Sequence, residues 1–84
     1  MFYTYALKSR HDGALYIGST KNLKERLKSH NAGYVESTKR RLPMDLIYYE
    51  ACLNRSDASR REKYLKTSYG KRYLKSRLRE YFTG

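Results

Sequence analysis

The sequence predicts an α+β domain, and three observations carry that prediction. Two short strand-like runs lie at the N-terminus on either side of a turn-forming cluster, the pattern of a β-hairpin. Two later segments space their apolar residues three and four positions apart, the period of a helix with one buried face. Between helical segments lies "MDLIYYEACL", residues 44–53, the most apolar stretch of the chain, which reads as a third strand.

Each element follows in order. "FYTYALK", residues 2–8, forms the first strand and ends before "SRHDG", a cluster whose glycine suits a turn. "ALYIG" returns as the second strand, and counting across the turn places Tyr5 opposite Tyr16, two phenols on one sheet face. Asn22, with Glu25 three residues on, opens a helix in the manner of a capping box; it runs to Asn31 and stops at Gly33. Along it Leu23, Leu27 and His30 fall at i, i+4 and i+7, with Arg26 at i+3 beside the stripe. "GYVESTKRRLP" is a basic loop closed by the only proline, and its Ser37, Thr38, Lys39, Arg40 and Arg41 suit phosphate contacts. The third strand, being the most apolar, is expected at the centre of the sheet. Asn54 or Ser56 caps a second helix, "DASRREKYLKTSY", with Ala58, Glu62, Leu65 and Tyr69 inward. Gly70 breaks the chain before a last helix, "KRYLKSRLREYF", with Leu74, Leu78 and Phe82 inward and a basic outer face that includes Lys71 and Arg72.

Eighty-four residues are expected to make one small domain, residues 1–84, with a single modest core. No apolar run approaches a membrane span and the N-terminus lacks the apolar core of a signal peptide, so the expected setting is cytoplasmic, with no membrane partner. The lone Cys52 cannot form an internal disulfide and is expected to be a buried, reduced thiol. Nineteen basic residues against eight acidic give a formal charge of +11, for which nucleic acid is the default partner and an anionic membrane surface the competitor. Ten tyrosines and no tryptophan are also unusual. Tyr34, Tyr64, Tyr69, Tyr73 and Tyr81 alternate with Lys and Arg, a pairing that serves single strands through base stacking and backbone charge; completing a small core is the other use for these rings.

A carboxylate at an inward helical position is costly unless it is paired, hydrogen-bonded or metal-bound. Glu62 therefore pairs with Lys66 at i+4, bridges to Arg26, or binds a hard divalent cation such as Mg²⁺, which takes one or two protein carboxylates and leaves its other positions to water and phosphate. Arg26 and His30 divide in the same way, between surface decoration with a satisfied half-buried ring and chemistry. Together with Glu62 and two strand tyrosines they supply the parts for cutting a phosphodiester: an electrostatic clamp, a metal site and a general base.

These same residues carry a family resemblance. The sequence resembles a GIY-YIG nuclease domain over nearly its whole length. The first motif stands in a degenerate form as "YTY", with Tyr5 in the place of its tyrosine, and the second is intact as "YIG", Tyr16 to Gly18. "NLKERLKSHN", with Arg26 and His30, and "RREKYLK", with Glu62, follow in the family order. The resemblance points to small stand-alone bacterial proteins similar to the nuclease half of the excision-repair incision subunit. It implies a three-stranded antiparallel sheet flanked by helices and hydrolysis of DNA with one divalent metal, Mg²⁺ or Mn²⁺. By position, Glu62 would bind the metal, Arg26 would hold the scissile phosphate, and Tyr5, Tyr16 and His30 would share water activation and proton transfer, with the base left open among them. Besides the first motif, which lacks its glycine and isoleucine, two features depart from the family pattern. No asparagine follows Glu62, so its supporting part falls to Ser68, Ser76 or water, and Ser19 stands where some relatives have lysine, so Lys21 or Lys24 supplies that charge.

The expected function is thus a metal-dependent endonuclease acting on single-stranded or branched DNA, with Lys21, Lys24, Lys39, Arg40, Arg41, Arg61, Lys71 and Arg72 along the nucleic acid. The alternatives are a catalytically silent nucleic-acid-binding module, for DNA or RNA, and a small RNA-binding or ribosome-associated protein.

Overall fold

The computed structural model describes residues 1–84. Its elements in chain order are β1 (Phe2–Ser9), β2 (Leu15–Thr20), α1 (Leu23–Asn31), β3 (Met44–Cys52), α2 (Arg55–Leu65), α3 (Ser68–Arg77) and α4 (Arg79–Thr83). The three strands form one antiparallel sheet in the order β2-β1-β3.

The centre of the sheet is therefore β1, not the more apolar β3. Four consecutive residues of β1, Thr4 to Leu7, are buried, as happens only when a strand is covered on both faces. Thr4 is tolerated there because its hydroxyl donates to the Ala58 carbonyl at 3.0 Å. The apolar residues of β3 instead include rings that complete the sheet's rim, and Tyr49 is 55% exposed. Cys52 is likewise half-buried rather than buried, its thiol donating to the Asn54 carbonyl at 3.3 Å.

Helices cover the two faces. Under α1, Leu23 and Leu27 pack on Tyr5, Leu7 and Met44; on the other face Leu65 of α2 and Leu74 of α3 pack on Ala6 and Ile17. A bulge at Ile47 lets β3 serve both, with Leu46 in the first cluster and Ile47 and Tyr48 packed on the second. Asn22 caps α1 by accepting from the Glu25 amide at 3.2 Å, and Asn54 caps α2 by accepting from the Ser56 amide at 2.8 Å. At the far end of α1, the Asn31 side chain accepts from Met44 N at 2.9 Å and donates to Met44 O at 3.1 Å, fastening the helix to the start of β3.

The second half departs from the expected boundaries. The chain breaks at Thr67, whose hydroxyl donates to Tyr64 O at 2.6 Å and accepts from Gly70 N at 3.1 Å, capping α3. Gly70 does not end a helix: it lies in the first turn of α3 at a point so tight that a Cβ would fall 2.1 Å from Tyr64 O. Tyr69 consequently turns outward and is 68% exposed. Leu78 separates α3 from α4, so the last predicted helix is two, with Leu78 and Phe82 half-buried.

Candidate active site

The first two strands bring the tyrosines together, on the diagonal rather than directly opposite. Tyr5 pairs with Gly18 and Leu7 with Tyr16, leaving the two rings 6.3 Å apart. Gly18 is what admits the Tyr5 phenol, because a Cβ there would lie 2.5 Å from the Tyr5 hydroxyl and 3.1 Å from the Tyr16 ring. The last turn of α1 adds His30, which has no exposed surface; its Nε2 is 2.9 Å from the Tyr5 hydroxyl and its ring 4.9 Å from that of Tyr16, edge to face.

The hydrogen bonds around His30 are all satisfied with its proton on Nδ1. Thr38 donates to the Val35 carbonyl at 3.5 Å, so its oxygen accepts from Nδ1–H of His30 at 2.8 Å. With its proton on Nδ1, the ring accepts at Nε2 from Tyr5 O–H. The Tyr5 oxygen in turn accepts from Arg26 Nε at 3.4 Å. A directed chain results, from Arg26 through Tyr5, His30 and Thr38 to the backbone. Thr38 is 1% exposed and so is not the phosphate-binding residue expected of the loop. It is an orienting group for His30 that sequence reasoning missed, since nothing local separates it from Ser37.

Charge follows from these contacts. Burial, then the Arg26 charge, depress the His30 pKa from 6.5 to about 4, so the ring is neutral at neutral pH. Burial pushes the Tyr5 phenol above its ordinary 10.0; Arg26 pulls it back, while Tyr16 and the Glu62 carboxylate add to the rise. Its bond to Tyr5 holds the Arg26 guanidinium above its usual value, against the opposing effect of burial.

Glu62 enters from the opposite face. Ser19, one residue past Gly18 and therefore directed to the other side of β2, donates to Glu62 Oε1 at 2.7 Å, while Lys66 donates to Oε2 at 2.8 Å. Of the expected pairings the structure has Lys66, not Arg26. The polar partner is Ser19, not Ser68 or Ser76. Burial favours the neutral carboxyl, but Lys66 and Ser19 outweigh it and bring the Glu62 pKa below the usual carboxylate value. The edge strand β2 thus carries an ionised carboxylate on one side and the Arg26–Tyr5–His30 chain on the other.

No group of three His, Cys, Asp or Glu side chains is placed to ligate a metal. A single carboxylate beside a hydroxyl is an all-oxygen donor set, which fits Mg²⁺ or Mn²⁺ with water and phosphate completing the shell, and does not fit zinc. The binding site would use Glu62, with the half-exposed Lys66 ammonium displaced from Oε2.

The basic residues fall into three places. Lys21 and Lys24 stand at the start of α1, beside this site. Lys39, Arg40 and Arg41 follow Thr38; Lys39 pairs with Glu36 at 2.9 Å and Arg41 with Asp12 at 3.7 Å, leaving Arg40 free of an ion pair. Arg61 turns to the opposite edge of the sheet, bound to Glu50 of β3 and packed over Tyr64 and Tyr73, while Lys71 and Arg72 are exposed on α3, Arg72 lying 5.1 Å from the Tyr69 ring.

A sheet of this order, with Tyr5, Tyr16, Arg26 and His30 on one face and Glu62 reaching its edge from the other, is a nuclease-like fold. The family model described as the GIY-YIG catalytic domain matches residues 1–75, and the chain belongs to the GIY-YIG family. Within it the chain is similar to the UPF0213 proteins. One from Clostridium perfringens is 43% identical over 67 residues, covering 79% of this chain and 71% of the relative. One from Bacillus licheniformis is 40% identical over 82 residues, covering 93% and 84%. The solution NMR structure of a UPF0213 protein from Bacillus halodurans superposes with a TM-score of 0.56 at 31% identity, over 90% of this chain and 84% of that one. The GIY-YIG domain places the chain in an endonuclease superfamily, whose substrates are nucleic acids and whose members generally depend on divalent metals.

Proposed function

We propose that this protein is a metal-dependent endonuclease that hydrolyses phosphodiester bonds in DNA, preferring single-stranded or branched DNA, and that it works in the cytoplasm. The observation that carries the reading is the separation of charges across β2: Arg26 has no carboxylate partner and Glu62 has only a surface lysine. A phosphodiester with its cation matches that arrangement, since it presents negative oxygens to Arg26 and positive charge to Glu62.

Arg26 spends Nε on Tyr5 and keeps its remaining N–H donors for the scissile phosphate. Glu62 would hold Mg²⁺ or Mn²⁺, which stabilises charge on phosphate oxygens and lowers the pKa of bound water. Tyr16 is the half-exposed phenol beside Arg26 and takes the part of water activation, because Tyr5 already donates its proton to His30. Tyr5, His30 and Thr38 hold Arg26 in place, while burial and the Arg26 charge keep the imidazole neutral.

The preference for single strands rests on exposed aromatics, Tyr34 at 83% exposure and Tyr69 with the Arg72 guanidinium over its ring. Tyr73 does not share in it, being half-buried against Tyr48. No helix is long and apolar enough to cross a membrane.

The test is cleavage of labelled DNA and RNA with and without Mg²⁺ or Mn²⁺, paired with competition between a single strand and its own duplex at two salt concentrations. Metal-dependent cutting of DNA, faster on the single strand, with affinity falling steeply as salt rises, is expected. Binding without cutting would leave the silent module, which the Glu62–Lys66 pair favours. Tighter binding and faster cutting of the duplex would refute the substrate preference.

A further inference from the structure

A groove of about 540 Å³ runs along the α1 side of the sheet, beside the site and unused by the chemistry above. Its floor is Tyr3 and Tyr49, whose rings meet edge to face with centroids 6.1 Å apart, and its wall is Leu23 and Leu27 of α1. Lys21 and Lys24 stand at its rim, and no acidic residue lines it. The volume lies within the range of about 300–1,000 Å³ typical of small-ligand sites. Tyr49 is the most open of the sheet tyrosines: Tyr5 is buried and Tyr3, Tyr16 and Tyr48 are half-buried, whereas Tyr49 leaves 55% of its surface open.

The position of this groove ties it to the site. Leu23 and Leu27 bracket Arg26 on one helix. Lys21 lines both the groove and a second recess across β2, formed with Ser19, Thr20, Arg55 and Ser59, and Ser19 is the residue that holds Glu62. A strand laid from the groove past Lys21 would thus pass between the two halves of the site.

We infer that the groove receives one unstacked nucleobase of a single strand, stacked on the exposed Tyr49 ring and bordered by Tyr3, with its flanking phosphates on Lys21 and Lys24. An aromatic floor recognises the π-face of any base, and a cationic rim without carboxylates matches a phosphodiester backbone. Base seating there fixes which phosphodiester lies over Arg26 and Glu62. The inference rests on the single-stranded substrate proposed above, but it is separable from the cutting reaction.

Binding of the full chain to a short fluorescent single-stranded oligonucleotide, without divalent metal, tests it. Replacing the bases by abasic sites should weaken the wild type about tenfold, the scale of one stacked base. Tyr49→Ala should bind the intact strand about tenfold more weakly and respond less to base removal, while Tyr49→Phe, which keeps the ring, should bind like the wild type. Lys21→Ala should lower the salt dependence, which Tyr49→Ala should not. Equal affinity of Tyr49→Ala and wild type, or equal loss in both on base removal, would overturn the assignment. Because wild-type base dependence needs no variant, indifference of the wild type to base removal would also overturn it. A wild type that binds in this Tyr49-dependent way yet cuts no DNA with Mg²⁺ would refute the nuclease reading and leave the groove assigned; one that cuts without Tyr49 dependence does the reverse.

Discussion

The two faces of the sheet carry polar clusters built from the same residue types, wired in opposite ways. Under α1 stand Tyr5, Tyr16 and Arg26, with Glu62 around the edge of β2; on the other face, toward the β3 edge, stand Tyr48, Tyr73, Arg61 and Glu50. In the second cluster Arg61 binds Glu50 directly, Tyr48 donates to Glu50 at 2.7 Å and meets the Tyr73 hydroxyl at 3.1 Å, and burial with Glu50 drives the Tyr48 phenol well above its ordinary value. Every charge there is answered within the fold. In the first, Arg26 faces only phenols and Glu62 a serine and a half-exposed lysine, so Arg26 and Glu62 are kept apart by a strand. Clusters of the same residue types are thus set apart by how their charges are paired, not by residue identity.

Removing the carboxylate from each cluster should have the largest effect. Glu62→Gln should abolish cleavage while leaving DNA affinity similar or slightly higher, since a carboxylate near phosphate opposes binding unless it holds a metal. Glu50→Gln should do the reverse, keeping cleavage and losing about 1–3 kcal/mol of stability as Arg61 is left without its partner. Cleavage assays and urea melts on the two variants read both effects. Wild-type-like nicking by Glu62→Gln would erase the distinction.

Next in size are the phenols and the guanidinium. Tyr5→Phe, Tyr16→Phe and Arg26→Ala should each lower the cleavage rate by about a hundredfold or more, because Tyr16 and Arg26 act in the reaction and the Tyr5 hydroxyl holds Arg26 in place. Tyr48→Phe, which removes an equally well-bonded hydroxyl from the other face, should leave the rate unchanged. Single-turnover rates on one oligonucleotide decide it, and normal cutting by all three site variants would favour the silent module.

Much of this was legible in the sequence because it is local. The caps at Asn22 and Asn54 and the helical spacing of Arg26, His30 and Glu62 depend on residues within a turn or two. What was not legible depends on distant partners. The centre of the sheet went to β1 because helices cover both its faces, a property of packing that the greater apolarity of β3 conceals. The break at Thr67 rather than Gly70 reflects a backbone approach between α2 and α3. Ser19, Thr38 and Arg61 each look like ordinary surface residues until their partners, Glu62, His30 and Glu50, are placed against them.

A smaller effect comes from His30, which has no counterpart in the other cluster. In the unfolded chain the ring takes its proton near pH 6.5, and in the folded protein near 4. Between those values the unfolded state binds more protons, so stability is full above pH 6.5 and falls as pH drops toward 4, by up to about 3 kcal/mol. Denaturant melts at pH 7.5 and 4.5 measure the fall, and an NMR titration of the ring locates its midpoint. A midpoint near 6.5 in the folded protein would show that the imidazole is not locked between Tyr5 and Thr38.

The least effect should come from the last link of the chain. Thr38→Val keeps the shape of the side chain but removes the acceptor for His30 Nδ1–H, so the buried ring loses one partner and its preference for protonation at Nδ1. With Nδ1 no longer holding the proton, Nε2 can carry it instead, and Tyr5 then loses its acceptor and with it the fixed direction of the bond from Arg26. The expected cost is about 1–2 kcal/mol in stability and roughly tenfold in cleavage, without change in DNA affinity. Thr38→Ser retains the hydroxyl and should restore the rate. A structural role alone predicts the stability loss in Thr38→Val with an unaltered rate, so the two measurements together show whether orientation is passed from Thr38 through His30 and Tyr5 to Arg26, or whether Thr38 only fills space.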